Sequence, residues 1–328
     1  YEISYMGSYD GIEKKLIEEF EIPYHGISSG KLRRYFAPKN FTDPFKVIKG
    51  YGEARSILKK LKPDVLFSKG GFVSVPVVLA ARHFKIPAII HESDMTPGLA
   101  NKLCIPSAWK VCCNFPETLQ YLPKEKAVLT GSPIRQELLK GDALKALRFT
   151  GLSPDKPVIL VMGGSLGAAA VNEAVRSVLP RLLKAYHVIH LCGKGKLDPS
   201  LSGLSGYVQY EYIKSELKDL FALCEIVISR AGANAICELL ALRKPSLLIP
   251  LPAASSRGDQ LLNARSFEKQ GFSMVLEEEQ ITPDSLLSAV HTLYENRQKM
   301  SDAMAASRQT DSIETIISLI EEAAGRNS

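Results

Sequence analysis

The sequence contains no apolar run approaching the roughly 18 residues that a membrane-spanning helix needs, which excludes an integral helical membrane protein. It has no CxxC pair: Cys104, Cys112, Cys113, Cys192, Cys224 and Cys237 are scattered, and only Cys112 and Cys113 are close. That pattern argues against zinc and against a disulfide framework, and for reduced thiols in a cytosolic protein. No low-complexity tract or short internal repeat occurs, which excludes disorder and solenoids. Neither sign of charge dominates: 41 Lys and Arg stand against 35 Asp and Glu, a formal net of +6. This permits contact with anionic lipid or a phosphorylated ligand and is too small for a nucleic-acid binder.

What is present is an ordinary globular balance, 45% hydrophobic and 23% charged, over 328 residues, a length suited to about two domains. Short, almost wholly apolar runs predict strands at 65–67, 88–90, 111–113, 158–162, 187–191, 226–228 and 246–249. Helical spacing fills the intervals at 54–61, 75–83, 169–183, 215–223, 234–242 and 261–270. This βαβ rhythm predicts parallel, doubly wound α/β sheets. Pro and Gly concentrate at 131–135 and 151–157. The expected division is therefore an N-terminal domain over 1–133 and a C-terminal domain over 134–328. A terminal helix carrying Ile313, Ile316, Ile317, Leu319 and Ile320 is expected to pack back toward the first domain.

The clearest local signal is a buried strand running into Gly163-Gly164-Ser165-Leu166-Gly167 and then a helix. Glycines let a ligand approach the backbone, and the unpaired N–H groups of the helix start favour an anion. It is not a P-loop, since no Gly-Lys-Ser/Thr follows, nor a strict GxGxxG. A tight turn without ligand is the plain alternative. A second strand end meets Gly70-Gly71-Phe72-Val73-Ser74, which reads equally as a structural turn or a ligand contact. One such loop per domain suggests a ligand between the carboxyl ends of two sheets. His91, Glu92 and Asp94 follow another strand and suit acid/base or hydroxyl-binding work, without metal-ligand spacing. Arg230, Ala233 and Glu238 follow a further strand, where a carboxylate can hold a ribose; a solvated helix Glu is the alternative. Asp259, Gln260 and Asn263 suit sugar hydroxyls, or simply open a helix. Basic and aromatic residues interleave at Lys31, Arg33, Arg34, Tyr35, Phe36, Phe41 and Phe45, a composition for an anionic lipid surface or for a self-packed loop.

Taken together, these segments resemble the MurG family of peptidoglycan glycosyltransferases. The matching segments are Gly70–Ser74, His91-Glu92-Ser93-Asp94 with Gly98–Lys102, Gly131-Ser132-Pro133-Ile134-Arg135, Gly163–Ala168 and Ser229–Glu238, across essentially the whole chain. The resemblance implies an α/β GT-B architecture of two Rossmann-like domains facing a cleft. It implies metal-independent, inverting transfer of N-acetylglucosamine from UDP-N-acetylglucosamine to lipid I, giving lipid II, with no cofactor. Glu238 would hold the ribose and backbone near Ile213 the uracil. Ser165 and the helix after it would hold the diphosphate, with added charge from Arg135. Gln260 and Asp259 would hold the sugar, and His91, Glu92 and Asp94 would lie near the acceptor. The basic–aromatic stretch would face the inner leaflet of the bacterial cell membrane, making the protein cytoplasmic and peripheral. Asp94 stands where some members have Asn. The chain opens at Tyr1 in what resembles the family's second strand, so the family's first strand and Gly-Gly-x-x-Gly-His loop are expected to be missing, and with them activity. Competing readings keep GT-B with another lipid or small acceptor, or make the chain a non-catalytic UDP-sugar-binding module. An NAD-dependent oxidoreductase would want a strict GxGxxG and a downstream acid, and neither is clean.

Overall fold

The computed structural model describes residues 1–30, 43–163, 168–253, 258–307, 309 and 312–325. The chain forms two compact units, Tyr1–Thr130 with Ile313–Ser328, and Gly131–Ser312. In the first, the elements run β1 (Tyr5–Ser8), α1 (Ile12–Glu18), β2 (Tyr24–Ile27), α2 (Asp43–Leu61), β3 (Leu66–Ser68), α3 (Ser74–His83), β4 (Ala88–Glu92), α4 (Leu99–Cys104), β5 (Lys110–Cys113) and β6 (Ala127–Leu129). Strands β1 and β2 pair in parallel by themselves. The other four form a parallel sheet in the order β3-β4-β5-β6. All five residues of β4 are buried. Alternate side chains serve opposite faces, as the period of two requires. Ile90, Val111 and Cys113 pack with Val75, Val78 and Ala100, whereas Ile89 and Cys112 pack with Ile316, Leu319 and Ile320.

The second unit runs α5 (Ala143–Thr150), β7 (Val158–Met162), α6 (Ala169–Leu182), β8 (His187–Leu191), β9 (Tyr207–Tyr210), α7 (Leu217–Leu223), β10 (Ile226–Ser229), α8 (Ala233–Ala241), β11 (Ser246–Leu248), α9 (Asp259–Lys269), β12 (Ser273–Val275), α10 (Pro283–Glu295) and α11 (Arg297–Ala305). The last helix, α12 (Ser312–Ala323), begins at this unit's final residue and otherwise belongs to the first unit. The sheet is wholly parallel, in the order β12-β11-β10-β7-β8-β9. In chain order that is 6-5-4-1-2-3, the doubly wound mononucleotide-binding arrangement. Ile159 and Val161 of β7 pack under α6 and α10 with Val171, Val175, Leu286 and Val290. Val158 and Leu160 pack on the other face with Ala146, Phe221 and Leu239. Burial on both faces is why β7 reads Val-Ile-Leu-Val-Met without alternation.

The strands expected from sequence appear within two residues of their expected ends. Strands β2, β6, β9 and β12 were not expected. They are short and lie at sheet edges or in a two-stranded ribbon, and Tyr-His-Gly-Ile or Ser-Met-Val carries little β signal. The units divide at Thr130–Gly131, ahead of the expected boundary at 133–134. Gly131 has φ of +72°, and a side chain there would collide with the carbonyl of Gln309. Ser312 Oγ donates to the Gly131 carbonyl at 3.0 Å, so the second unit's two ends adjoin.

Three helices end in the same hydrogen-bonded cap. After α3, Ile86 N donates to Ala81 O and Lys85 N to Arg82 O, with Lys85 at φ +58°. After α8, Lys244 N donates to Leu239 O and Arg243 N to Leu240 O, with Arg243 at φ +52°. After α9 the left-handed position is Gly271, the residue such a cap favours.

Candidate active site

In a doubly wound sheet the chain order reverses between the first and fourth strands, and their carboxyl ends open a crevice for ligand. Here those strands are β7 and β10, paired with Met162 opposite Ser229. β7 continues into Gly163, and the expected Gly164, Ser165 and Gly167 lie outside the described residues. Helix α6 then starts after Ala168 and α8 after Gly232, neither of which has a side chain able to cap. Two helix starts whose N-cap residues offer no capping side chain thus follow the two central strands, an arrangement that suits an anionic ligand.

Glu238 lies on α8, one turn beyond Asn234. Its side chain is 21% exposed and meets Arg135 Nη2 at 3.4 Å. Burial pushes its pKa above the usual carboxylate value, while Arg135 pulls it down. Ile213 is buried in the core with Leu220 and Phe221, and the neighbouring Tyr212 is exposed. Ala233 is the first residue of α8 and Asp259 the first of α9. Gln260 Oε1 accepts from Leu251 N at 3.1 Å. Two residues expected at the donor instead hold backbone. Arg230 is buried, its Nη1 donates to the carbonyls of Ile249 and Pro250 at 3.1 Å, and its Nη2 pairs with Glu278. Asn263 is buried and donates to Ala231 O at 3.2 Å. Arg230 ties the segment after β10 to that after β11, and Asn263 ties α9 to the segment after β10. Among the described residues, Arg230 Nε and Asn263 Oδ1 stay buried without a hydrogen-bond partner.

In the first unit, Gly70 and Gly71 follow β3 with φ of +92° and +84°, a backbone that only glycine adopts without strain. A Cβ on Gly70 would press on the Asn101 amide. Ser74 Oγ donates to Gly71 O at 2.5 Å and closes the loop onto α3. His91 and Glu92 end β4 and are buried. Lys69 Nζ donates to His91 Nδ1 at 3.3 Å. Glu92 Oε1 accepts from Asp94 N at 3.0 Å, and its Oε2 accepts from Gly98 N at 2.9 Å and Asn101 Nδ2 at 2.8 Å. Both carboxylate oxygens therefore hold the turn from β4 to α4. Asp94 sits half-buried within that turn. Sequence reasoning passed over Lys69 and Asn101. The signal was available in their neighbours, a glycine pair after Lys69 and a Gly-Leu-Ala approach to Asn101.

Of the basic–aromatic stretch, Lys31, Arg33, Arg34, Tyr35, Phe36 and Phe41 lie outside the described residues. Phe45 is exposed near the start of α2, with Ile48 exposed one turn on. Among the described residues, no helix is long and apolar enough to cross a membrane.

Two parallel-sheet, Rossmann-like units in one chain define the GT-B fold, in which many glycosyltransferases are built. The glycosyltransferase family 28 N-terminal domain matches residues 1–112, and the family 28 C-terminal domain matches residues 158–319. A curated protein of Lachnoclostridium phytofermentans is 67% identical over 98% of this chain and 91% of its own length. Its name is UDP-N-acetylglucosamine–N-acetylmuramyl-(pentapeptide) pyrophosphoryl-undecaprenol N-acetylglucosamine transferase, and a Clostridium perfringens protein of that name is 56% identical over 99% of the chain and 91% of its own length. The crystal structure of Acinetobacter baumannii MurG superposes with a TM-score of 0.74 at 26% identity, over 98% of this chain and 91% of that one. The calicheamicin glycosyltransferase CalG4, at 14% identity and a TM-score of 0.68 over 99% and 91%, shares the fold. The chain belongs to the MurG family of glycosyltransferase family 28.

Proposed function

We propose that the protein transfers N-acetylglucosamine from UDP-N-acetylglucosamine to the lipid-linked N-acetylmuramyl-pentapeptide, lipid I, forming lipid II for peptidoglycan. The single observation that carries the donor half of this reading is the switch point between β7 and β10, flanked by the starts of α6 and α8. An acceptor hydroxyl oxygen attacks the anomeric carbon from the face opposite the diphosphate. The bond from that carbon to the diphosphate oxygen breaks with inversion, UDP departs with the electron pair, and the hydroxyl proton passes to a base. Helix starts offset the charge growing on the diphosphate, with Arg135 beside Glu238 adding a cation. Glu238 holds the ribose hydroxyls. Gln260 and Asp259, at the start of α9, face the sugar.

The acceptor lies against Gly70, Gly71 and Ser74 and the turn after β4. With both oxygens of Glu92 engaged by the turn, Asp94 and His91 remain as the resident bases. Phe45 and the basic–aromatic stretch before it hold the protein on the anionic inner face of the cell membrane. Incubation with labelled UDP-N-acetylglucosamine and a short-chain lipid I tests the assignment. Labelled lipid II is the expected product; transfer only to a sterol, diacylglycerol or small aglycone would overturn it.

A further inference from the structure

The second unit contains a buried polar chain that the donor-binding residues above do not include. Asn172 lies in the first turn of α6, and its own N–H is the first to bond within the helix, to Ala168 O at 2.9 Å. Its side chain is buried and aimed at β8. Nδ2 donates to Cys192 O at 2.9 Å, just past the carboxyl end of β8. Oδ1 lies 2.9 Å from His190 Nε2, and His190 Nδ1 lies 3.0 Å from Tyr207 Oη on β9. The proton positions follow from valence. The Asn172 amide already donates through nitrogen, so its oxygen must accept, and Nε2 of His190 carries the proton. Nδ1 then accepts from the Tyr207 hydroxyl. Burial, reinforced by Arg176, lowers the His190 pKa to about 3, so the ring is neutral and one tautomer satisfies every partner.

We infer that Asn172, His190 and Tyr207 are positioning residues for the donor diphosphate: they lock the first turn of α6 to β8 and β9 and so aim its N–H groups at the phosphates. The inference rests on the donor reading above and deepens it. Val171, Val175 and Val178 pack α6 on the sheet through apolar contacts, which carry no direction of their own. The hydrogen-bonded chain adds direction, and small errors in donor placement are costly where charge is stabilised by fixed dipoles. Sliding the helix would also strand polar groups in a dry interior.

Calorimetric titration with UDP and with uridine separates this role from general stability. Uridine carries the groups that Glu238 and Ile213 would read and lacks the phosphates. Asn172→Ala is expected to weaken UDP about tenfold, as loss of a buried hydrogen-bonded anchor would, while uridine changes less than twofold. Tyr207→Phe removes the hydroxyl that meets His190 Nδ1 and also interacts with Arg176 and Cys192, and should weaken UDP by about two- to threefold, again sparing uridine. If Asn172→Ala does not fold, Tyr207→Phe carries the test. Equal weakening of both ligands, or of neither, in the folded variants overturns the inference. A wild-type protein that binds UDP no better than uridine, or that keeps its UDP affinity in Glu238→Ala, instead overturns the donor reading on which it rests.

Discussion

Glu238 keeps a carboxylate in a partly buried place, where desolvation opposes its charge and Arg135 offsets that only in part. Its folded pKa is raised, so its contribution to stability is present at low pH and is lost as pH rises through the folded pKa. Glu238→Gln is therefore expected to raise the melting temperature at neutral pH while weakening UDP binding, a trade familiar at ligand sites. Glu238→Ala should weaken UDP by about 1–3 kcal/mol, the worth of charged hydrogen bonds to the ribose, read by calorimetry. His190 has the opposite sign. Its pKa falls from 6.5 to about 3 on folding, so its contribution is full above the unfolded value and fades as pH falls from 6.5 toward about 3. Acid unfolding curves of His190→Gln should lack that part of the slope. Residue types and strand-end positions made the candidates legible in sequence, but partners were not. Glu92 and Arg230 look like reactive groups in a string of letters, and only their hydrogen bonds to Gly98 N and Pro250 O show them holding backbone.

At the scale of the element, the buried parallel strands were legible because packing on both faces leaves a continuous apolar run, as in β7 and β10. Edge strands such as β6 and β12 were not, since half their surroundings are solvent and three residues suffice. Helix ends were partly legible. Gly271 after α9 marks its cap, whereas Lys85 and Arg243 occupy the same left-handed position with a basic residue that suits the negative helix end but not the backbone. Lys85→Gly and Arg243→Gly should each stabilise by up to about 1 kcal/mol, through relief of left-handed strain partly offset by greater freedom of the unfolded chain. Thermal melts of the two variants check this, with no change expected in UDP affinity.

At the scale of the molecule, the two units divide the proposed labour. Asp94→Ala in the first should lower turnover with lipid I while leaving UDP affinity within twofold, whereas Glu238→Ala in the second should lose UDP affinity. A paired comparison of turnover and calorimetry reads both effects, and a drop in UDP affinity for Asp94→Ala would count against the division. The alternation of strands and helices made a two-part α/β chain legible, whereas the division at Thr130–Gly131 lies ahead of the boundary expected from the Pro- and Gly-rich stretch. The order of the strands was not legible, because an open parallel sheet can be wound in several sequences from the same string of elements. The second unit's entry at Gly131 and exit at Ser312 are joined by the hydrogen bond from Ser312 Oγ to the Gly131 carbonyl, which makes the stretch between them a natural cassette. Exchanging it whole between homologues would carry the proposed nucleotide site along with both junctions side by side.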